Sequence, residues 1–211
     1  MQVNIDPIGY GNRILVRDIA FAVAPGECLL LAGPNGSGKS TLLRKLAEKG
    51  VLIPTGIPKV KGFTVREFVR TGCYRESDWA GRLRKETEQR LEESLELIGL
   101  KPLADRDIST LSDGEFQKAC IAVGLTRQAG LLLLDEPTAF LDVENRLMVL
   151  RTLRQVAERT GTAVIFSSHD LHDALQVVHR VLTITREGRL LESGPYTREA
   201  VLKKAFPACS L

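Results

Sequence analysis

"GPNGSGKST", residues Gly33 to Thr41, follows the apolar run "CLLLA" and opens the helix-forming stretch "STLLRKLAEK". The spacing Gly33-x-x-x-x-Gly38-Lys39-Ser40 is that of a phosphate-binding P-loop. Gly33, Gly36 and Gly38 let backbone N–H groups curl around phosphate oxygens, where a side chain would block them. Asn35 and Ser37 complete the loop, and the following helix turns its positive end toward the same anion. Lys39 adds a point charge for the outer phosphates. Ser40 offers a hydroxyl to magnesium, with Thr41 beside it. The competing reading is a glycine-rich turn that merely precedes a lysine. The full pattern, set between an apolar strand and an amphipathic helix, outweighs it. The chain is expected to bind a nucleotide.

Composition narrows what kind of protein carries this loop. The 211 residues are 44% hydrophobic and 26% charged, with 29 Lys and Arg against 26 Asp and Glu. A net charge of +3 is too small to argue for nucleic acid or a membrane surface. No apolar run approaches the roughly 18–20 residues that span a bilayer. The start, "MQVNIDPIGYGNR", lacks the apolar stretch of a signal peptide. Cys28, Cys73, Cys120 and Cys209 are scattered without metal spacing and read as buried thiols in a reducing cytosol.

Residues 3–27 alternate polar and apolar positions and read as antiparallel strands, with "ILVRDIAFAVAPGE" the clearest. "CLLLAG" and "LLLLDEP" are strands buried on both faces, and "VLIP" is a short one. From Thr64 to Leu103 the pattern is helical in "VREFVRTG" and "RKETEQRLEESLELIGL", the second closed by Gly99. A helix follows "LSDGE", and a long one, "VENRLMVLRTLRQVAERTG", stops at Gly161. Then come the strand "TAVIFSSHD", a helix over "LHDALQVV", the strands "RVLTIT" and "LLES" about the turn "REGR", and a last helix, "TREAVLKKAF". The alternation predicts an α/β fold with a mostly parallel sheet and ligands beyond the carboxyl ends of its strands. It also predicts an N-terminal antiparallel β part and a helical block inserted over residues 64–111.

Two acids end the strand "LLLLDEP". In a chain with a P-loop, Asp135 suits orienting magnesium, and Glu136 suits polarising the attacking water. His169, in "FSSHD", lies just past another apolar strand and so opens on the same site. "LSDGE" places a serine and a glycine at a helix start, again a layout for phosphate. Its other reading is an N-cap, Ser112 with Glu115 three residues on making a capping box. One chain with two phosphate layouts needs an explanation.

"GPNGSGKST", "LSDGE", "LLLLDEP", "AFLD" (Ala139–Asp142) and "SSHD", in this order, resemble the ATPase subunit of an ABC transporter, over nearly the whole chain. The resemblance implies a single ABC ATPase domain with a nucleotide-binding core (1–63 and 112–211) and a helical subdomain (64–111). It further implies two copies paired head to tail, each ATP held between one P-loop and the other copy's signature motif. Ser112 and Gly114 would then hold the γ-phosphate of the partner's ATP, which accounts for the surplus phosphate layout. By the same resemblance Tyr10 stacks on adenine, Asp142 belongs to the loop that crosses the interface, and His169 contacts the γ-phosphate. ATP and Mg²⁺ are the implied ligands. The implied partners are a second copy and transmembrane permease subunits, with a periplasmic substrate-binding protein in the same system and no nucleic acid. The implied place is the cytoplasmic face of the inner membrane.

Two positions depart from the family pattern. Asp113 replaces the first glycine of the usual LSGG, and an acid beside a triphosphate must point away or pair with a cation. After Gly50 the chain is shortened, and Thr55 falls where a glutamine near the metal is expected. "FTVREFVRTGCY", "WAGRL" and "DEPTAFLD" look most like ATPases of importers for iron–siderophore, haem or cobalamin. In those a permease helix docks in a groove, here Thr55–Phe68 with Tyr74–Trp79. The alternatives are a soluble ABC ATPase that moves no solute, and the ATPase of an exporter or cytochrome-maturation system. Translation-type members usually carry two cassettes and repair-type members carry long coiled coils; neither feature is present in this sequence.

Overall fold

The computed structural model describes residues 1–11, 13–193 and 198–205. The N-terminal part forms two antiparallel ladders from β1 (Gln2–Ile5), β2 (Ile8–Tyr10), β3 (Arg13–Val16) and β4 (Ile19–Ala22). β1 pairs with β4, and β2 with β3. The stretch from Ile14 to Ala22 is therefore two strands, not one. It breaks at Asp18, whose φ of 57° is left-handed, a region aspartate tolerates better than most residues.

β5 (Cys28–Ala32) runs into the P-loop and α1 (Lys39–Leu46). The short β6 (Val51–Ile53) leads through a loop to α2 (Val65–Arg70), a tight 3₁₀ stretch over Thr71–Glu76 and α3 (Lys85–Leu97). α4 (Asp113–Thr126) and β7 (Leu131–Leu134) follow, then α5 (Val143–Thr160), which ends at Gly161 with φ 72°. β8 (Ala163–Ser167), α6 (Leu171–Leu175), β9 (Arg180–Ile184), β10 (Leu190–Ser193) and α7 (Arg198–Ala205) complete the described chain. α6 is shorter than the expected helix over "LHDALQVV".

The six-stranded sheet has the order β10-β9-β5-β8-β7-β6, parallel throughout except for the β10–β9 pair. Its central strands carry apolar side chains on both faces, and the two faces feed two cores. Leu30, Leu132, Leu134, Val164 and Phe166 meet α4, α5 and the 64–111 helices on one side. Leu29, Leu31, Leu131, Leu133 and Ile165 meet α1 and the N-terminal strands on the other. Strand alternation with period two sorts them. This layering sets the P-loop at the carboxyl end of the central β5, with the ends of β7 and β8 beside it.

Cys28, Cys73 and Cys120 are buried free thiols; Cys209 lies outside the described residues. Burial pushes the Cys28 and Cys120 thiols up to about 12, which leaves them protonated and unreactive.

Candidate functional site

The P-loop is built as an anion cradle. Gly33 has φ 155°, and a Cβ there would come within 2.8 Å of the Ile184 carbonyl oxygen and of the Ser37 hydroxyl. Gly38, with φ 102°, stands at the start of α1, which has no side-chain cap. The first amides of that helix are left for another acceptor. The Ser37 hydroxyl oxygen is buried and has no hydrogen-bond partner, a costly arrangement unless a ligand supplies one. Lys39 is only 6% exposed, and its ammonium donates to the carbonyls of Gly33 (2.9 Å) and Pro34 (3.1 Å). Burial holds its pKa below the usual lysine value, against the upward pull of the Glu136 and Asp135 carboxylates. Asn35 and Gly36 are exposed at the tip, and Ser40 is half-buried at the helix start. Loop, helix start and lysine fit a polyphosphate.

Thr41 donates to the Tyr10 hydroxyl at 3.2 Å, which brings an exposed tyrosine ring to the P-loop helix. That bond, helped by Arg44, draws the phenol pKa below its ordinary value.

The acids at the end of β7 are fastened from several directions. Asp135 N–H donates to the Ile53 carbonyl at 3.1 Å, and its own carbonyl accepts from the Thr55 hydroxyl at 2.6 Å. Ser167, fully buried at the end of β8, donates to the Asp135 carboxylate at 2.8 Å and accepts from Glu136 N–H at 2.9 Å. Glu136 itself has a left-handed φ of 49°, an arrangement that costs about 1–3 kcal/mol and persists only where neighbours hold it. His169 Nε2 meets Glu136 Oε1 at 2.5 Å. Thr55, expected near a metal, is thus at the acids, but its proton is committed to main chain.

Ser112, Gly114 and Asp142 form a second group. Ser112 caps α4 in a reciprocal box: Glu115 N–H donates to its hydroxyl at 3.2 Å, and Ser112 N–H to the Glu115 carboxylate at 2.8 Å. Gly114 is buried against α5, and an added Cβ would collide with Asn145 and Met148. Asn145 in turn donates through its backbone and side-chain nitrogens, both at 2.8 Å, to Asp142, the cap of α5. Asp142 is held below the usual aspartate range first by the Asn145 backbone bond. Asp113 pairs with Lys59 at 2.7 Å, so the expected need for a cation is met.

Ser167, Asn145 and Lys59 were not singled out in the sequence. Ser167 left one usable signal: a hydroxyl at the end of an otherwise apolar buried strand, two residues before His169. Lys59 left only the unpaired demand of Asp113.

With this geometry in place, similarity to known proteins is informative. Residues 16–139 match the family model described as "ABC transporter". The iron(3+)-hydroxamate import ATP-binding protein FhuC of Bacillus subtilis is 32% identical over 88% of this chain and 80% of its own. The ferric enterobactin transport ATP-binding protein FepC of Escherichia coli is 30% identical, over 89% and 78%. A solved metal-chelate-type ABC transporter in an inward-facing conformation superposes with a TM-score of 0.78 at 24% identity, over 91% of this chain and 82% of that one. The ADP conformation of an ATP-binding cassette gives 0.78 at 19%, over 97% and 95%. The chain belongs to the ABC transporter family. It is a nucleotide-binding ATPase of that family, and its relatives favour the transport reading over the non-transport alternative.

Proposed function

We propose that this chain hydrolyses ATP between two copies arranged head to tail, and so powers import of an iron–siderophore, haem or cobalamin. The observation that carries this reading is that its phosphate-type elements form two groups, each with its own internal fastening. The uncapped α1 start with Lys39 and the fastened acids form one group; Ser112, Gly114 and Asp142, joined through Asn145, form the other. A half-site of each kind in one chain is what a paired, reciprocal site requires.

In this reading residues 33–41 hold the triphosphate and Tyr10 stacks on the base. Ser40 and Asp135 would hold Mg²⁺, which would supply charge neutralisation on the phosphates. The Glu136 carboxylate polarises the attacking water, and His169, whose Nε2 meets Oε1, keeps that carboxylate oriented beside the γ-phosphate. Ser167 sets the backbone and carboxylate of the acid pair; Thr55 ties the loop after β6 to the same strand end. The partner's Ser112 and Gly114 close on the γ-phosphate.

Residues 64–111 act as a helical subdomain and, with the loop before it, receive a permease helix. Tyr74 (80% exposed) and Trp79 (99% exposed) stand open there. Among the described residues no helix is long and apolar enough to cross a membrane, so the permease would supply the span. The system places the chain on the cytoplasmic face of the inner membrane and includes a periplasmic substrate-binding protein. Siderophore import rests on the relatives' names, since an ATPase subunit does not touch the cargo.

Glu136→Gln tests the catalytic assignment. Hydrolysis should fall about 10²-fold or more while ATP is retained and the dimer accumulates. Parental turnover would remove Glu136 from this role. Co-purification with a polytopic membrane protein tests the transport reading.

A further inference from the structure

Lys59 stands outside every motif, in the loop between β6 and α2, yet it clasps the turn around Ser112 from both sides. Its ammonium donates to the Leu111 carbonyl at 2.7 Å and pairs with the Asp113 carboxylate at 2.7 Å. It also lies 5.7 Å from the centroid of the Phe116 ring, on the first turn of α4. The loop is anchored at its other end as well, where the Thr55 hydroxyl bonds the Asp135 carbonyl. Thr55, Lys59, Asp113, Glu136 and Phe140 line one cavity of about 360 Å³ between these anchors.

Helix stability does not account for the pair. A cation at a helix N-terminus opposes the macrodipole, whereas Asp113 in the first turn is favoured there without help. The pair is also partly open to water, with the Asp113 side chain 70% exposed, so it adds little as a salt bridge. What the lysine changes is the charge met by an anion approaching Ser112.

We propose that Lys59 is a positioning residue for the signature turn: seated on the Leu111 carbonyl, it cancels the charge of Asp113 so that the turn accepts the triphosphate bound by the partner copy. This rests on the head-to-tail reading. An uncompensated carboxylate roughly 7 Å from a phosphate, at an effective dielectric of about 20, opposes closure by on the order of fiftyfold. The closed interface excludes water, so screening there is weaker than on the open surface.

The test uses ATP-driven dimerisation of the Glu136→Gln protein, with ATP binding to the monomer measured separately. Lys59→Met keeps an apolar stem over Phe116 and removes the charge. It should weaken dimerisation by on the order of fiftyfold while ATP binding at the chain's own P-loop is unchanged. Adding Asp113→Gly to Lys59→Met should restore dimerisation to within a few-fold of the parent, because no charge then needs cancelling. Lys59→Arg should retain it. A Lys59→Met protein that dimerises like the parent overturns the proposal. So does a double variant as weak as Lys59→Met alone, since the lysine would then act on the backbone and not on the charge. If the Glu136→Gln parent itself fails to dimerise with ATP, the head-to-tail reading fails first, and the proposal falls with it.

Discussion

Ser167 shows how one hydroxyl can set the geometry of two acids. Its proton goes to the Asp135 carboxylate and its oxygen accepts the Glu136 N–H, all without exposure to water. Ser167→Ala leaves that N–H buried without an acceptor, a loss of about 1–3 kcal/mol in stability by chemical denaturation. Because Glu136 sits at a left-handed φ that its neighbours must hold, the same variant should lower ATP turnover more than ATP binding. Turnover and binding that fall in parallel would mean that Ser167 serves the fold alone. At this scale the sequence was a good guide to ligand-facing residues: the glycines, Lys39 and the acids carry their chemistry in their spacing. It was a poor guide to residues that act through another residue. Ser167, Lys59 and Asn145 are defined by contacts across 32, 54 and 31 positions of chain or across helix faces, and no local pattern encodes such distances.



At the scale of elements, the helix starts decide which stretches hold and which change with pH. α2 and α4 both open with a capping box, Thr64 with Glu67 and Ser112 with Glu115. Thr64→Ala should cost about 1 kcal/mol in a urea unfolding curve, without touching nucleotide. The Glu67 carboxylate is held below the usual glutamate range first by the Thr64 backbone N–H, and Glu115 likewise by that of Ser112. A folded pKa below the unfolded one means that each cap stabilises above the ordinary glutamate value of about 4.3. That contribution is lost as pH falls through the lower folded value. Unfolding curves at decreasing pH should therefore show parent and Glu67→Gln converging in acid; a constant gap would contradict the carboxylate's part in the cap. The box at Ser112 was legible because its two residues are three apart in the chain. The break at Asp18 was not, since only Arg17 and Asp18 interrupt the apolar stretch between Ile14 and Ala22 while the partner strand changes from β2 to β1. Local hydrophobicity reports that a segment is buried, not which strand it joins.

For the whole molecule, the sheet keeps one core on each face, and both are needed to hold the β5, β7 and β8 ends in one place. Phe166 is fully buried on the face toward α4 and α5, one residue before Ser167. Phe166→Ala should destabilise the protein by about 3–5 kcal/mol, read as a lower denaturation midpoint. The parallel architecture was legible from two wholly apolar strands alternating with helices, whereas the grouping of site residues became visible only once Asn145 joined Gly114 to Asp142. That grouping underlies the central claim, a site completed by a second copy. The most direct measurement mixes two inactive proteins, Lys39→Ala and Ser112→Arg, and follows ATP hydrolysis. Only a mixed dimer pairs an intact P-loop with an intact Ser112, so the head-to-tail arrangement predicts activity in the mixture well above the sum of the two proteins alone. A mixture no more active than that sum, with both proteins folded and Ser112→Arg still binding ATP, would contradict it.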